Sequence, residues 1–211
     1  MTTDHFDNAA ATWDDEPRRI ALMRAIGEVI LDNVQPCRET TVLDYGCGTG
    51  LIGLFLLPHV GQVTGADNSP GMLTVLRRKI ADNGIKNMTA IHLDLQTEPP
   101  LDQEFDLILC GMAMHHIAET DRVLRGFHKM LRPGGTVCIA DLDTEPGLFH
   151  TPEAAASVHH NGFDREALKR RMTDAGFQAA NDRTVLTFKK PVAEQADHEF
   201  SVFLVSATKP E

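Results

Sequence analysis

Asp44, Asp67 and Asp94 each close a short apolar run: Thr41-Val42-Leu43-Asp44, Gln62-Val63-Thr64-Gly65-Ala66-Asp67 and Met88-Thr89-Ala90-Ile91-His92-Leu93-Asp94. The first run leads directly into Tyr45-Gly46-Cys47-Gly48-Thr49-Gly50, with the apolar stretch Leu51–Leu57 behind it. A buried strand, a turn with almost no side chains and then a helix form a cradle for an anionic or nucleoside-bearing ligand. Gly48-x-Gly50-x-x-Gly53 satisfies the dinucleotide pattern, and Asp67 follows Gly46 by 21 positions, near the ~20 expected of a ribose-binding acid. Asp44 weighs against a dinucleotide, because a carboxylate beside a pyrophosphate repels it. A cationic, phosphate-free nucleoside ligand finds complementary charge instead.

A second group of residues can handle an acceptor or a proton. His115 and His116 follow the apolar run Phe105–Cys110, with Met112 and Met114 beside them able to line an apolar pocket. Histidine suits general acid–base work near neutral pH; a hydrogen-bonded loop histidine is the alternative for each. The stretch Phe149-His150 to His159-His160-Asn161-Gly162-Phe163 adds three more imidazoles. With Asp141 or Asp143 these could take a metal or an acidic substrate, but no tight ligand spacing supports a metal, and none is expected. The segment reads as a substrate-gating loop. Trp13, the single tryptophan, is either a ligand contact or the anchor of a lid or core.

These residues need a scaffold, and the pattern supplies one. Pro17 opens a helix over 17–34, with Ile20, Met23, Ile26, Ile30 and Val34 at helical spacing. Strands are expected at 41–44, 62–67, 88–93, 105–110 and 136–141, with helices near 51–58, from Pro70 to Asn83-Gly84, and before Pro133-Gly134-Gly135. Ser69 and Pro70 are the start signal of the second of these. A helix from Asp164 to Gly176 and two strands near 178–188 and 199–207, joined by a polar loop around Pro191–Asp197, complete the chain. Strand–helix alternation predicts a mostly parallel sheet with helices on both faces, and the closing hairpin makes one strand antiparallel.

With 211 residues, 42% hydrophobic and 24% charged, the chain is expected to form one soluble globular domain. A formal net charge of −10 argues against nucleic acid or an anionic membrane as the main partner. Cys37, Cys47, Cys110 and Cys138 are scattered without a C-x-x-C pair. Reduced thiols in a cytoplasmic protein are therefore expected, with no thiolate zinc site or iron–sulfur cluster. The first residues are polar and acidic rather than a secretion signal.

Val42–Gly50, Asp67-Asn68-Ser69-Pro70-Gly71-Met72-Leu73, Leu93-Asp94-Leu95, Phe105–Leu109 and Leu131-Arg132-Pro133-Gly134-Gly135 resemble, in order, five motifs of the class I S-adenosylmethionine-dependent methyltransferases, particularly their small-molecule branch. The resemblance implies a Rossmann-like, doubly wound sheet of seven strands in a single domain. Residues 1–38 would be an N-terminal helical cap and 142–163 a segment covering the active site. It implies that Gly46, Cys47 and Gly48 contact the methionine part of the cofactor, with Asp44 near its ammonium group or a bound water. Asp67 would accept the ribose hydroxyls, Asn68 and Met72 would flank the adenine, Asp94 would accept from its amino group and Leu95 would pack on the ring. Cys110 would offer backbone to the ammonium. His115 is the candidate base, and Trp13, Met112, His115, His116, His150, His159 and Phe163 are candidate contacts of a small-molecule acceptor. S-adenosylhomocysteine would be the product. A non-catalytic cofactor-binding module and, on the glycine pattern alone, an NAD-dependent oxidoreductase are the alternatives.

Overall fold

The computed structural model describes residues 4–192 and 195–211. Residues 1–3 of the expected cap and 193–194 of the expected polar loop lie outside the described residues. The strands are β1 (Thr41–Tyr45), β2 (Gln62–Asp67), β3 (Met88–His92), β4 (Phe105–Gly111), β5 (Leu131–Leu142), β6 (Gln178–Val192) and β7 (Gln195–Thr208). They form one seven-stranded sheet in the order β3-β2-β1-β4-β5-β7-β6. β1 to β5 are parallel, and β7 runs antiparallel to both of its neighbours.

The helices are α1 (Asp4–Ala9), α2 (Pro17–Val34), α3 (Leu51–Leu56), α4 (Pro70–Asp82), α5 (Thr120–Met130), α6 (Pro152–Ala155) and α7 (Arg165–Asp174). Their starts follow local chemistry. The Ser69 hydroxyl accepts the Met72 N–H at 3.1 Å, and the Asp164 carboxylate accepts the Ala167 N–H at 2.7 Å, each satisfying a donor that the first helical turn leaves orphaned.

Alternation along the strands builds two cores. Val42 of β1 packs with Ile26 and Ile30 of α2, Leu56 of α3 and Leu76 of α4. Its neighbour Leu43 points to the other face, with Phe127 of α5, Leu168 and Met172 of α7 and Phe203 of β7. Successive strand residues face opposite sides, so β1 is buried on both and the sheet is doubly wound. The chain winds one way from β1 to β2 and β3 and the other way to β4 and β5. This puts a crevice beyond the carboxyl ends of β1 and β4, where open α/β sheets bind ligands.

Differences from the sequence expectation concern ends. β5 starts at Leu131 rather than Thr136, because Leu131 pairs with Phe105 ahead of a register shift. The hairpin strands reach Val192 and Gln195, which still pair, so the expected loop is mostly strand. Ile20, counted on the apolar face of α2, is 42% exposed.

Candidate functional site

The turn after β1 is held by its own backbone. Gly46, Gly48 and Gly50 all take positive φ, at 70°, 53° and 83°, a region glycine enters without steric cost. The Gly46 and Cys47 N–H groups both donate to the Ala66 carbonyl of β2, at 2.8 and 3.1 Å. A Cβ on Gly46 would sit 2.5 Å from the Ala113 side chain, and one on Gly53 2.9 Å from Asp44 Oδ2. Asp44 itself is buried and accepts the Gly53 N–H at 3.0 Å. Burial pushes its carboxyl up to about 7, with the Gly53 bond opposing and the charge of Asp67 adding.

Asp67 ties the glycine turn to the start of α4. Its Oδ2 accepts the Gly48 N–H at 2.7 Å and its Oδ1 the Ser69 N–H at 2.8 Å. Burial raises its pKa against the pull of these bonds. The Asn68 N–H adds a third backbone bond, and a carboxylate with about four lone-pair sites keeps acceptor capacity beyond these. The donor set thus holds two buried carboxyls, and the cation beside it is engaged: Lys79 pairs with Asp14 and donates to the Thr49 carbonyl at 2.8 Å. An anionic diphosphate fits this set poorly. A ligand bearing a cation and a diol fits it well.

The N-terminal segment lies across the same edge. Asp14 accepts from the Thr49 hydroxyl at 2.6 Å, and Asp7 from the Ser69 hydroxyl and the Gly71 N–H at 2.6 and 2.7 Å. Trp13 carries the Arg19 guanidinium 3.7 Å over its ring. Its Nε1 lies 4.0 Å and the Met72 sulfur 3.9 Å from where a Gly48 Cβ would stand. Phe6 meets Trp13 edge-on at 5.8 Å and His116 at 5.0 Å, linking the cradle to the histidines.

Past β4 the backbone turns sharply. Met112 takes φ 55°, unfavourable for a non-glycine residue and a form of strain that concentrates at functional sites. A 3-10 turn over Met114–His116 follows. His115 is 2% exposed, with Nδ1 2.7 Å from Asp141 Oδ1 at the end of β5 and its N–H donating to Asp141 Oδ2 at 3.1 Å. Nε2 of His115 lies 3.2 Å from Nε2 of His150, and Nδ1 of His116 lies 2.8 Å from the Ser157 carbonyl. Burial, then the neighbouring His115, pushes His116 down to about 4 and His150 down to about 3. Both imidazoles are therefore neutral at pH 7. The loop is tied from below, since the His159 and His160 N–H groups donate to the His115 carbonyl at 2.9 and 3.1 Å.

Residues 42–135 match the family model described as a methyltransferase domain. Over these residues the chain is similar to the class I methyltransferases. An uncharacterized methyltransferase of Schizosaccharomyces pombe is 33% identical over 153 residues, covering 66% of this chain and 54% of that protein. A demethylmenaquinone methyltransferase of Listeria monocytogenes is 32% identical over 107 residues, covering 49% and 45%. The chain thus spans about half the length of these curated relatives. A chain of the complex between the Haloferax volcanii Trm112 methyltransferase activator and its methyltransferase superposes with a TM-score of 0.77 at 22% identity, covering 98% of each chain. At that identity the likeness shows the fold.

Asp44, Gly46, Cys47, Gly48, Asp67, Asn68 and Met72 gather around the ends of β1 and β2, and His115, His116 and His150 form one cluster. Met72 is 1% exposed, so it offers the crevice little more than the sulfur beside Gly48. Leu95 and Phe163 turn into the core instead. Leu95 is 1% exposed in the core and its N–H donates to the Tyr45 hydroxyl at 3.0 Å; its side chain has no open face for a ring. Phe163 is 7% exposed in the same core, which leaves its ring little surface for an acceptor. The Cys110 side chain is buried, while its backbone, the part expected to meet the cofactor, lies beside Gly111 at the end of β4. Asp94 closes its own turn, accepting the Gln96 N–H at 3.0 Å. His159 is exposed and joins the site through its backbone. Burial raises the Cys47 thiol well above its ordinary pKa, so it is no nucleophile.

Sequence reasoning missed Asp7, Asp14, Lys79, Tyr45 and Ser157, and missed that Asp141 belongs to His115. The last had a signal: Asp141 ends a strand as Asp44 and Asp67 do. β5 lies next to β4 in register, Gly111 against Ala140, which brings the residues following each strand together.

Proposed function

We propose that this chain transfers a methyl group from S-adenosylmethionine to a small-molecule acceptor. The observation that carries the reading is the Gly48–Asp67 junction: a left-handed glycine turn tied by its N–H to a buried carboxylate, with Asp44 buried beside it. A sulfonium cofactor brings a cationic ammonium for Asp44 and a ribose diol for the unused acceptor sites of Asp67. The cofactor supplies the electrophilic methyl and an excellent leaving group. The chain's own task is then alignment and exclusion of water. The described residues of 1–38, from Asp4 on, act as the cap and 142–163 as the acceptor-side cover of one domain.

On the acceptor side, Asp141 holds the Nδ1–H of His115 and so leaves its Nε2, which meets His150 Nε2 at 3.2 Å, as the unprotonated, proton-accepting nitrogen. Met112, His116 and Trp13 border the same space. The quinone-precursor methyltransferases among the relatives support a small acceptor, and the net charge of −10 weighs against nucleic acid. Isothermal titration of the full chain should give one site each for S-adenosylmethionine and S-adenosylhomocysteine and none for NAD. Binding of NAD alone would overturn the assignment. Transfer of labelled methyl to a panel of phenols, thiols and amines separates the enzyme from a non-catalytic cofactor-binding module, which would bind both sulfur compounds and turn over nothing.

A further inference from the structure

We infer that His115, His116 and His150 together bind one divalent transition-metal ion of the Zn²⁺ class beside the methyl-transfer crevice. The three imidazoles come from two segments far apart in the chain, and their ligand atoms lie within 4.8 Å of one another. The tautomers are set by their partners. A carboxylate accepts only, so His115 Nδ1, 2.7 Å from Asp141 Oδ1, carries its proton. A carbonyl likewise accepts only, so His116 Nδ1, 2.8 Å from the Ser157 oxygen, carries its own. Both Nε2 atoms are left as unprotonated donors. A histidine whose far N–H is held by a carboxylate or a backbone carbonyl is the arrangement in which zinc-bound imidazoles are found.

The third ligand is at the right spacing. His150 Nε2 is 3.2 Å from His115 Nε2, a hydrogen bond in the metal-free chain with the proton on His150. An ion would take its place, with His150 then carrying its proton on Nδ1, since two nitrogens on one tetrahedral Zn²⁺ with bonds of about 2.05 Å stand about 3.3 Å apart. The position of His150 is braced. Phe149 packs on Phe200 at 5.3 Å and under Lys190 at 4.7 Å, and Lys190 also donates to the Phe149 carbonyl. A set of imidazoles without a carboxylate selects Zn²⁺, Co²⁺, Ni²⁺ or Cu²⁺ over Mg²⁺ or Ca²⁺. Three histidines leave a fourth coordination position open, the pattern of reactive rather than structural zinc.

That open position gives the ion a role. An acceptor thiol or hydroxyl entering it releases its proton to solvent and stays bound as thiolate or alkoxide, ready for methylation. His115 then serves as a ligand instead of a free base. This role rests on the methyl-transfer reading; the ion site does not.

The test uses the untagged full chain after chelator treatment, titrated with Zn²⁺ calorimetrically and with Co²⁺ by visible absorption. One ion per chain and the intense visible bands of four-coordinate Co²⁺ are expected. His150→Gln and His116→Gln should each weaken Zn²⁺ binding at least tenfold, and Asp141→Asn, which touches no ion, about 10–100-fold. His59→Gln, outside the cluster, should leave it unchanged. Far-UV circular dichroism checks that each variant is folded. Absence of stoichiometric Zn²⁺ uptake, or uptake unaltered in folded His150→Gln and His116→Gln, overturns the site. Titrating S-adenosylmethionine into the same metal-free protein separates the two ideas, because cofactor binding without zinc binding rejects the ion alone.

Discussion

Asp67 bridges the glycine turn and the start of α4 through one N–H from each, Gly48 at 2.7 Å and Ser69 at 2.8 Å. Asp67→Ala orphans both donors and removes the diol acceptor. The S-adenosylmethionine Kd should rise at least about tenfold, or ~1.4 kcal/mol, by titration calorimetry, and an unchanged Kd would take Asp67 out of the site. On the proposed reading, His115 stands on the acceptor side. His115→Gln should lower kcat on an identified acceptor about 100-fold while the cofactor Kd stays within about twofold. A parallel loss of cofactor affinity would make His115 a structural residue.

At the scale of elements, the N-terminal segment is latched by carboxylates, Asp7 at the start of α4 and Asp14 on Thr49 and Lys79. Trp13 sits between these latches with its Nε1 facing Gly48. Saturation with cofactor should therefore shift Trp13 emission, and Asp14→Ala should speed cofactor release in stopped flow several-fold. Emission indifferent to cofactor would place the tryptophan outside the crevice. The strands, α2 and α4 were legible because apolar runs, Pro17 and the Ser69-Pro70 pair are local signals. The cradle was legible because its residues adjoin in sequence. The latches were not, since Asp7 and Asp14 look like ordinary surface acids until α1 and the 3-10 turn after it place them. Leu95 and Phe163 were misplaced for the converse reason. They border the right loops, but their side chains turn into the core formed with Phe127, and a motif reveals position without direction.

At the scale of the whole molecule, the parallel sheet directs the carboxylates that end its strands to one edge of an already acidic chain. Asp44 bears the largest cost, being buried at the centre of that edge with its pKa pushed up to about 7. The sign of the linkage follows. In the unfolded chain Asp44 ionises near the ordinary carboxylate value of about 3.9, so between there and about 7 the folded state binds more protons. Its contribution to stability is whole below pH 4 and is lost as pH rises through 7. Asp44→Asn keeps an oxygen for the Gly53 N–H but cannot ionise. Its stability relative to the natural chain, measured by urea unfolding in a pH series, should improve steadily from pH 4 to 7 and then level off. The gain should reach a few kcal/mol, the scale of a shift of this size. A difference that does not vary with pH would show that Asp44 is not a buried acid held near neutrality. A cationic cofactor should act on the native carboxyl in the opposite sense to burial, drawing its pKa back down. Binding of S-adenosylmethionine near pH 6.5 should then release a proton, seen as a heat that changes with the ionisation enthalpy of the buffer. Asp44→Asn should abolish that release.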